Sequence, residues 1–459
     1  MPETGKRNTI LRLAAFLTVA LSLLCQGGRA QERQLPKVEM RGVWVATAYG
    51  IDWPKGALDP ESQKEEYSRL LDLFKGCGIN TVFFQVRSKA DAFYESEFEP
   101  WSKVLTGTQG KDPGYDVLEF LVAETHRKGM QFHAWINPYR IDTRVSSKYR
   151  FQPLDRRIPE RLVKDYNRIR IYNPALPQVQ DRIAAIVREI VSRYDVDGIH
   201  MDDYFYPYLE RGEKMDDDRE FRQYGNPGED IAGFRRRCVT EAVAKIRDAI
   251  KQTRPEVVFS VSPQGNWRNN YNDLYADVAL WAREGLVDVL IPQLYFAEGD
   301  FKSCLDWFIE NAGQAHLLAG YAAYRFDRNS TIAAFRDAGM LAREYAHAAS
   351  TGKVEGAVFY NASALVSNKE GIRDVVRGLL EEEAFAPYFC APPLPQPPVE
   401  TIPVAPLVPP FHDGEGGLLP LGDTSVRAPE RAVTDSLGSR PDTVHLPGHE
   451  GDGSKLDNK

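Results

Sequence analysis

The sequence is poor in three features that characterise other classes of protein. It contains no long run of basic residues and has a formal net charge of −8, so nucleic acid is not a predicted partner. Its five cysteines form no Cys-x-x-Cys pair, and their spacings do not predict a zinc site. No Gly-rich phosphate loop follows the first predicted strand, and nothing indicates a nucleotide or other cofactor. An uncharged or modified polysaccharide stays compatible with this composition.

The N-terminal apolar run, 11–24, is too short for a comfortable membrane span. Basic residues Lys6-Arg7 precede it and the small residues of Gly28-Arg29-Ala30 follow it, so a signal peptide is predicted over 1–30. The alternative is lipidation at Cys25, although the preceding residue is Leu24 and not the usual small one. Both interpretations predict export to the periplasm or cell envelope, with membrane contact only if Cys25 is lipidated.

Apolar β-type runs alternate with amphipathic helical stretches from about residue 39 to 380. Eight runs predict strands, at 40–47, 81–87, 131–137, 198–202, 257–262, 289–294, 316–321 and 356–360. Helical patterns lie between them, at 64–77, 117–128, 179–194, 234–252 and 331–349. Eight β–α repeats predict an α/β fold, a (β/α)8 TIM barrel over 37–385. A doubly wound open sheet is the alternative, and the missing phosphate loop argues against it.

The composition changes after about Pro387. Residues 392–410 are Pro-rich, and 411–459 are polar, Gly-containing and poor in aromatic residues. Such a segment cannot bury a hydrophobic core, so a disordered Pro-rich tail is predicted over 391–459.

The stretch 194–207 reads Tyr-Asp-Val-Asp-Gly-Ile-His-Met-Asp-Asp-Tyr-Phe-Tyr-Pro and carries the main functional signal. A buried strand here ends in two adjacent acids, whose charges cost free energy unless they are paired or used. Because Ile199 and Met201 should face the surrounding helices, alternation predicts that His200 and Asp202 face the barrel axis. At the carboxyl end of a barrel strand, Asp202 and Asp203 are the predicted catalytic pair.

Polar and aromatic residues cluster at the ends of the other predicted strands as well. Those predicted to bind the substrate are Arg41, Gln85, Arg87, His133, Asn137, Tyr139, His200, Tyr204, Gln264, Trp267, Gln293 and Tyr295. Alternatives stay open for several positions. The two histidines would otherwise be core residues, and Asp203 would otherwise cap a turn or pair with Arg87 or Arg140. A second catalytic carboxyl would then come from Asp52 or Asp91.

Five motifs, in order, resemble the glycosyl hydrolase-like 10 family over roughly 37 to 380. They are Arg-Gly-Val-Trp-Val at 41–45, Gln-Val-Arg-Ser-Lys-Ala-Asp-Ala at 85–92, Ala-Trp-Ile-Asn-Pro-Tyr-Arg at 134–140, Asp-Gly-Ile-His-Met-Asp-Asp-Tyr-Phe-Tyr-Pro at 197–207 and Ser-Pro-Gln-Gly-Asn-Trp at 262–267. The resemblance implies a TIM barrel, export to the bacterial envelope and hydrolysis of peptidoglycan strands that lack stem peptides. A weaker similarity is to family 18 chitinases, with Tyr204 at the position of their catalytic Glu.

Three hypotheses of function follow. The first is a glycoside hydrolase that cleaves a β-linked amino-sugar glycan, in which one carboxyl of raised pKa protonates the leaving oxygen. The second is a non-catalytic glycan-binding barrel of the cell envelope. The third is a metal-dependent deacetylase with His133, His200 and Asp202 as ligands, although no metal is predicted from their spacing.

Overall fold

A computed structural model describes residues 37–387 and Phe389, except positions 145, 147 and 211. The predicted signal segment 1–30, Cys25 within it, and the predicted tail 391–459 lie outside these described residues. Within the described part of the chain, no helix is both long and apolar enough to cross a membrane.

Eight parallel strands form the centre of the fold. They are β1 (Met40–Val45), β2 (Thr81–Arg87), β3 (Gln131–Ile136), β4 (Gly198–Met201), β5 (Val258–Val261), β6 (Val289–Leu290), β7 (His316–Leu317 and Ala319–Tyr321) and β8 (Gly356–Tyr360). Each strand from β1 to β6 pairs with the next, β8 pairs with β1, and the two parts of β7 pair with β6 and β8. The sheet therefore closes into a barrel, as predicted.

Helices follow the strands in the order of a (β/α)8 fold. The eight helices that alternate with them are α1 (Pro60–Gly76), α2 (Val117–Arg127), α3 (Pro177–Arg193), α4 (Ile231–Thr253), α5 (Val278–Arg283), α6 (Glu298–Asn311), α7 (Gly339–Ser350) and α8 (Ile372–Leu379). Aspartates fix several helix starts: the Asp59 carboxylate accepts from Ser62 N at 2.9 Å, and that of Asp116 accepts from Glu119 N at 3.1 Å.

Two buried apolar layers separate the barrel interior from its surroundings. Trp44, Phe83 and Trp135 belong to the inner layer, whereas Ile199 and Met201 belong to the layer shared with the helices. The predicted alternation on β4 is thus confirmed. Gly198 begins this strand because a Cβ there would overlap the His133 imidazole inside the barrel.

Three predicted elements differ in extent. The sixth strand is continuous only over Val289–Leu290, because Pro292 has no N–H to donate to a ladder, and pairing resumes at Gln293 as isolated bridges to Gln264 and Gly320. The helix predicted over 331–349 begins at Gly339, after a 3-10 turn over Ala333–Arg336. The long connection after β3 contains a three-stranded antiparallel sheet, formed by Arg140–Thr143, Val163–Asp165 and Ile169–Tyr172.

Candidate active site

Asp202 follows β4 directly, and donors from β3 fix its carboxylate. Trp135 Nε1 donates to Oδ2 at 3.0 Å, and Asn137 Nδ2 donates to both oxygens at 3.1 Å. The backbone N–H of Tyr204 donates to Oδ1 at 3.2 Å. Asp202 is only 2% exposed, so the structure holds this carboxylate in one orientation at the top of the barrel interior.

Asp203 is held by a different set of donors. The Tyr208 hydroxyl donates to Oδ2 at 2.5 Å, and Gln293 Nε2, in the segment after β6, donates to Oδ1 at 3.0 Å. Neither Arg87 nor Arg140 forms an ion pair with Asp203 within the described residues, so the structure does not support the alternative in which Asp203 pairs with one of these arginines. Adjacent acids are thereby anchored from two different sides of the barrel mouth.

Burial dominates the electrostatics of this pair. It raises the pKa of Asp202 to about 6, against a lowering contribution from the Arg140 charge and a further raising one from Asp203. Burial also raises the pKa of Asp203, which the hydrogen bonds from Tyr208 and Gln293 partly offset. Two adjacent carboxyls whose pKa values are both raised by burial suit acid and base roles in one reaction.

Tyrosines surround the two carboxyls. The rings of Tyr204 and Tyr208 meet edge to face with centroids 5.7 Å apart, and those of Tyr295 and Tyr360 stack at 5.9 Å. Tyr324 meets the Tyr360 ring edge to face at 5.4 Å. Such amphipathic rings offer both flat apolar faces and hydroxyl groups to a ligand.

The predicted ligands His200 and His133 lie in the barrel interior, not at the open face. His200 Nε2 accepts from Trp44 Nε1 at 3.0 Å, so the ring proton is assigned to Nδ1, which lies 2.8 Å from Ser260 Oγ. Burial lowers the pKa of His200 well below its ordinary value and that of His133 to about 4. His133 packs on Phe83 at 4.8 Å. Both histidines are therefore neutral core residues.

Two further predicted substrate contacts are arginines with internal partners. Arg41 lies at the N-terminal end of its strand, where Nε donates to Glu39 Oε2 at 2.7 Å and Nη1 to Leu380 O at 3.2 Å. Arg87 makes two hydrogen bonds of 2.7 Å to the buried Glu99. Arg41 and Arg87 are therefore internal residues and not the predicted substrate contacts, because partners inside the protein already neutralise their charges.

Gln85 and Tyr139, two more predicted substrate contacts, also make their contacts inside the protein. The Gln85 side-chain oxygen accepts from Thr47 N at 3.1 Å and from Ala48 N at 3.0 Å. Tyr139 is 1% exposed and belongs to the apolar layer shared with the helices. Both side chains are therefore buried inside the protein.

Gln264 and Trp267 lie on the rim of the barrel mouth. The Gln264 side-chain oxygen accepts from Asn266 N at 2.7 Å. Trp267 stacks on Trp307 with centroids 5.1 Å apart, beside a pocket of about 210 Å³ that Tyr271 also lines. Trp267 therefore lines a separate pocket, where its ring is available to stack on a ligand.

The two alternative carboxyls hold loops together. Asp52 Oδ2 accepts from Ala46 N at 2.7 Å and Oδ1 from Ser363 N at 2.9 Å, which joins the ends of β1 and β8. Asp91 Oδ2 accepts from Ser102 Oγ at 2.5 Å. Asp203 is therefore a better partner for Asp202 than either of them.

Arg140, Tyr208 and Tyr360 complete the site, although the predicted set did not include them. Arg140 stands at the end of the 134–140 motif and Tyr360 at the end of β8, so their positions carried a signal. Tyr208 follows Pro207 in a loop whose path no local pattern fixes. Among the described residues, no three His, Cys, Asp or Glu side chains are grouped as metal ligands.

Comparison with known proteins gives consistent matches. The model of the family described as glycosyl hydrolase-like 10 matches residues 39–330. Glycosyl hydrolase YngK of Bacillus subtilis is 38% identical over 73% of this chain and 70% of its own length. Glycosyl hydrolase DigH of Escherichia coli K12 is 37% identical over 72% and 86%, respectively. Among solved structures, the PgaB glycoside hydrolase domain from Bordetella bronchiseptica is 14% identical, with a TM-score of 0.49 over 74% of this chain and 99% of that domain.

Proposed function

The chain belongs to the glycosyl hydrolase-like 10 family and is a glycoside hydrolase, and we propose that it cleaves the β-linked amino-sugar backbone of peptidoglycan strands that lack stem peptides. The observation that carries this proposal is the pair of buried carboxyls, Asp202 and Asp203, held from opposite sides at the barrel mouth. The N-terminal segment 1–30 supports export, and the substrate class is the one implied by the family resemblance.

Asp202 is the proposed essential acid and Asp203 its partner. In the reaction, one protonated carboxyl gives its proton to the glycosidic oxygen as the carbon–oxygen bond breaks. The other carboxyl, ionised, stabilises the positive charge that develops on the sugar ring. Water then adds to the anomeric carbon and returns a proton to the carboxylate that donated one, so the site is restored. Donors to both Asp202 oxygens limit its rotation, which keeps the carboxyl oriented toward one bond.

Tyrosine faces and amide groups are proposed to bind the sugar rings. Tyr204, Tyr295 and Tyr360 offer ring faces near the carboxyls, and the Gln293 amide holds Asp203 at the same mouth. Asn137 is fully buried and acts through its hydrogen bonds to Asp202. Aromatic walls with a few placed polar groups are the usual construction of a ligand site.

The experiment is digestion of purified peptidoglycan, with and without prior removal of stem peptides by an amidase. Wild type and the Asp202→Asn variant are compared, and soluble products are identified by mass spectrometry. Peptide-free oligosaccharides released only by wild type, and mainly after amidase treatment, support the proposal. Binding of the strands without any release by wild type would favour a glycan-binding barrel and refute it.

A further inference from the structure

Arg140 is a buried arginine that makes no ion pair in the part of the chain that the structure describes. Four arginines in the described part of the chain are at least nine-tenths buried. Three of them form ion pairs: Arg41 with Glu39 at 2.7 Å, Arg87 with Glu99 at 2.7 Å and Arg235 with Asp217 at 2.6 Å. Arg140 is 6% exposed and forms no ion pair with any of the described residues. Its Nε donates only to the neutral carbonyl oxygen of Ser88, at 2.9 Å.

The guanidinium of Arg140 lies in the neighbourhood of the two carboxyls. It lies 4.6 Å from the centroid of the Tyr204 ring, and its charge acts on both Asp202 and Asp203. Its backbone N–H donates to Asn137 Oδ1 at 2.9 Å, while Asn137 Nδ2 holds Asp202. The Asn137 side chain thus links the proposed acid to the backbone of Arg140.

The charges of Asp202 and Asp203 act on Arg140, but neither carboxylate forms an ion pair with it in the described part of the chain, so the desolvation of this buried cation is only partly repaid. The planar guanidinium is also the side chain that best matches a carboxylate, through two parallel N–H···O bonds. We infer that Arg140 binds a carboxylate carried by the glycan substrate.

Under the proposed function, on which this inference rests, the carboxylate is the lactyl group of the muramic sugar. That group is a free acid on a strand without stem peptides and a neutral amide where a peptide is attached. The charge at Arg140 therefore discriminates between the two kinds of strand directly, in addition to any steric exclusion of the peptide by the Tyr-lined mouth.

The test uses one oligosaccharide in two forms, with lactyl groups as free acids or as simple amides of nearly the same size. Values of kcat/KM are measured for wild type, Arg140→Gln and Arg140→Lys. Lys89→Gln is the matched control, because Lys89 is a cation paired with Asp142 at 3.0 Å. Binding of both forms to Asp202→Asn is measured by calorimetry in parallel. Thermal unfolding checks that each variant folds. If Arg140→Gln does not fold, the comparison rests on Arg140→Lys, which keeps the positive charge.

We expect wild type and Lys89→Gln to prefer the free acid by about 10- to 100-fold, the effect of one charge-assisted contact. Arg140→Gln should bring the ratio near 1, and Arg140→Lys should retain part of the preference. Equal cleavage of both forms by wild type would overturn the inference and leave the proposed function standing.

If Arg140→Gln instead slows the cleavage of both forms equally and shifts the pH profile, then Arg140 acts only through the two carboxyls. The inference is wrong in that case too. Cleavage of neither form by wild type would refute the proposed function. The inference would then be judged by calorimetry, where equal dissociation constants for the two forms would overturn it and tighter binding of the free acid would support it.

Discussion

Replacing Trp135 by Phe tests the electrostatic basis of the site most simply. The substitution keeps an aromatic ring inside the barrel but removes the indole N–H, which donates to Asp202 Oδ2 at 3.0 Å. That hydrogen bond stabilises the ionised carboxylate, and it helps to offset the burial that raises the pKa of Asp202 to about 6. Without it, the ionised form becomes less stable and the pKa must rise further.

A hydrogen bond to a charged group contributes about 1.5–3 kcal/mol, which corresponds to about one to two pH units. The limb of the pH–rate profile that titrates with Asp202 should therefore move from about pH 6 to about pH 7–8. The shift is toward higher pH whether Asp202 acts in its protonated or in its ionised form, because the limb of the profile that Asp202 controls follows its pKa in both cases.

The assay is kcat/KM against pH, from pH 4 to about 9, on peptide-free glycan strands. Trp53→Phe is the matched control, because Trp53 is fully buried and its Nε1 donates to Gln63 O at 3.1 Å, in the layer shared with the helices. It should lose comparable stability while its pH profile stays in place. A profile for Trp135→Phe that coincides with that of wild type would refute the reasoning.

Three further predictions concern stability. Burial raises the pKa of Asp202 from 3.8 to about 6. Ionisation of this carboxyl therefore destabilises the folded protein increasingly as pH rises through that range. Asp202→Asn should therefore gain stability relative to wild type as pH rises from about 4 to 6, toward about 3 kcal/mol, measured by urea unfolding; a constant difference would contradict this. Arg87→Ala leaves Glu99 buried without its partner and should cost about 3–5 kcal/mol in the same measurement, whereas a loss below 1 kcal/mol would show that the pair is not buried. Tyr206→Phe removes a buried hydroxyl that has no hydrogen-bond partner among the residues the structure describes, and it should raise the unfolding free energy by about 1 kcal/mol; a marked loss would reveal a partner for that hydroxyl.

The sequence predicted the barrel because its periodic signals are local. Gly198 to Met201 alternate between the two faces of one strand, and this pattern alone placed Ile199 against the helices and His200 inside the barrel. It also located Asp202 at the carboxyl end of the strand, where the structure holds it by Trp135 and Asn137. Strand-end position and alternation were sufficient for these assignments.

The partners of polar residues were not predictable in the same way. Arg87 ends β2 and Arg140 follows β3 closely, so the two look similar in the sequence. Among the described residues, however, only Arg87 forms an ion pair with a carboxylate, that of Glu99. Glu99 lies in a loop whose path depends on the whole connection between β2 and α2. A polar residue at a strand end therefore marks the barrel face, while its partner depends on tertiary packing.

The most direct test of the account is the cleavage rate of peptide-free glycan strands by wild type, Asp202→Asn and Asp203→Asn at the optimum pH of wild type. Products are counted as new reducing ends, and circular dichroism verifies folding. We predict that wild type releases oligosaccharides and that Asp202→Asn is slower by about 10²–10⁴-fold, the contribution expected of a positioned acid or base. An Asp202→Asn variant that is folded and cleaves at the rate of wild type would contradict the central claim.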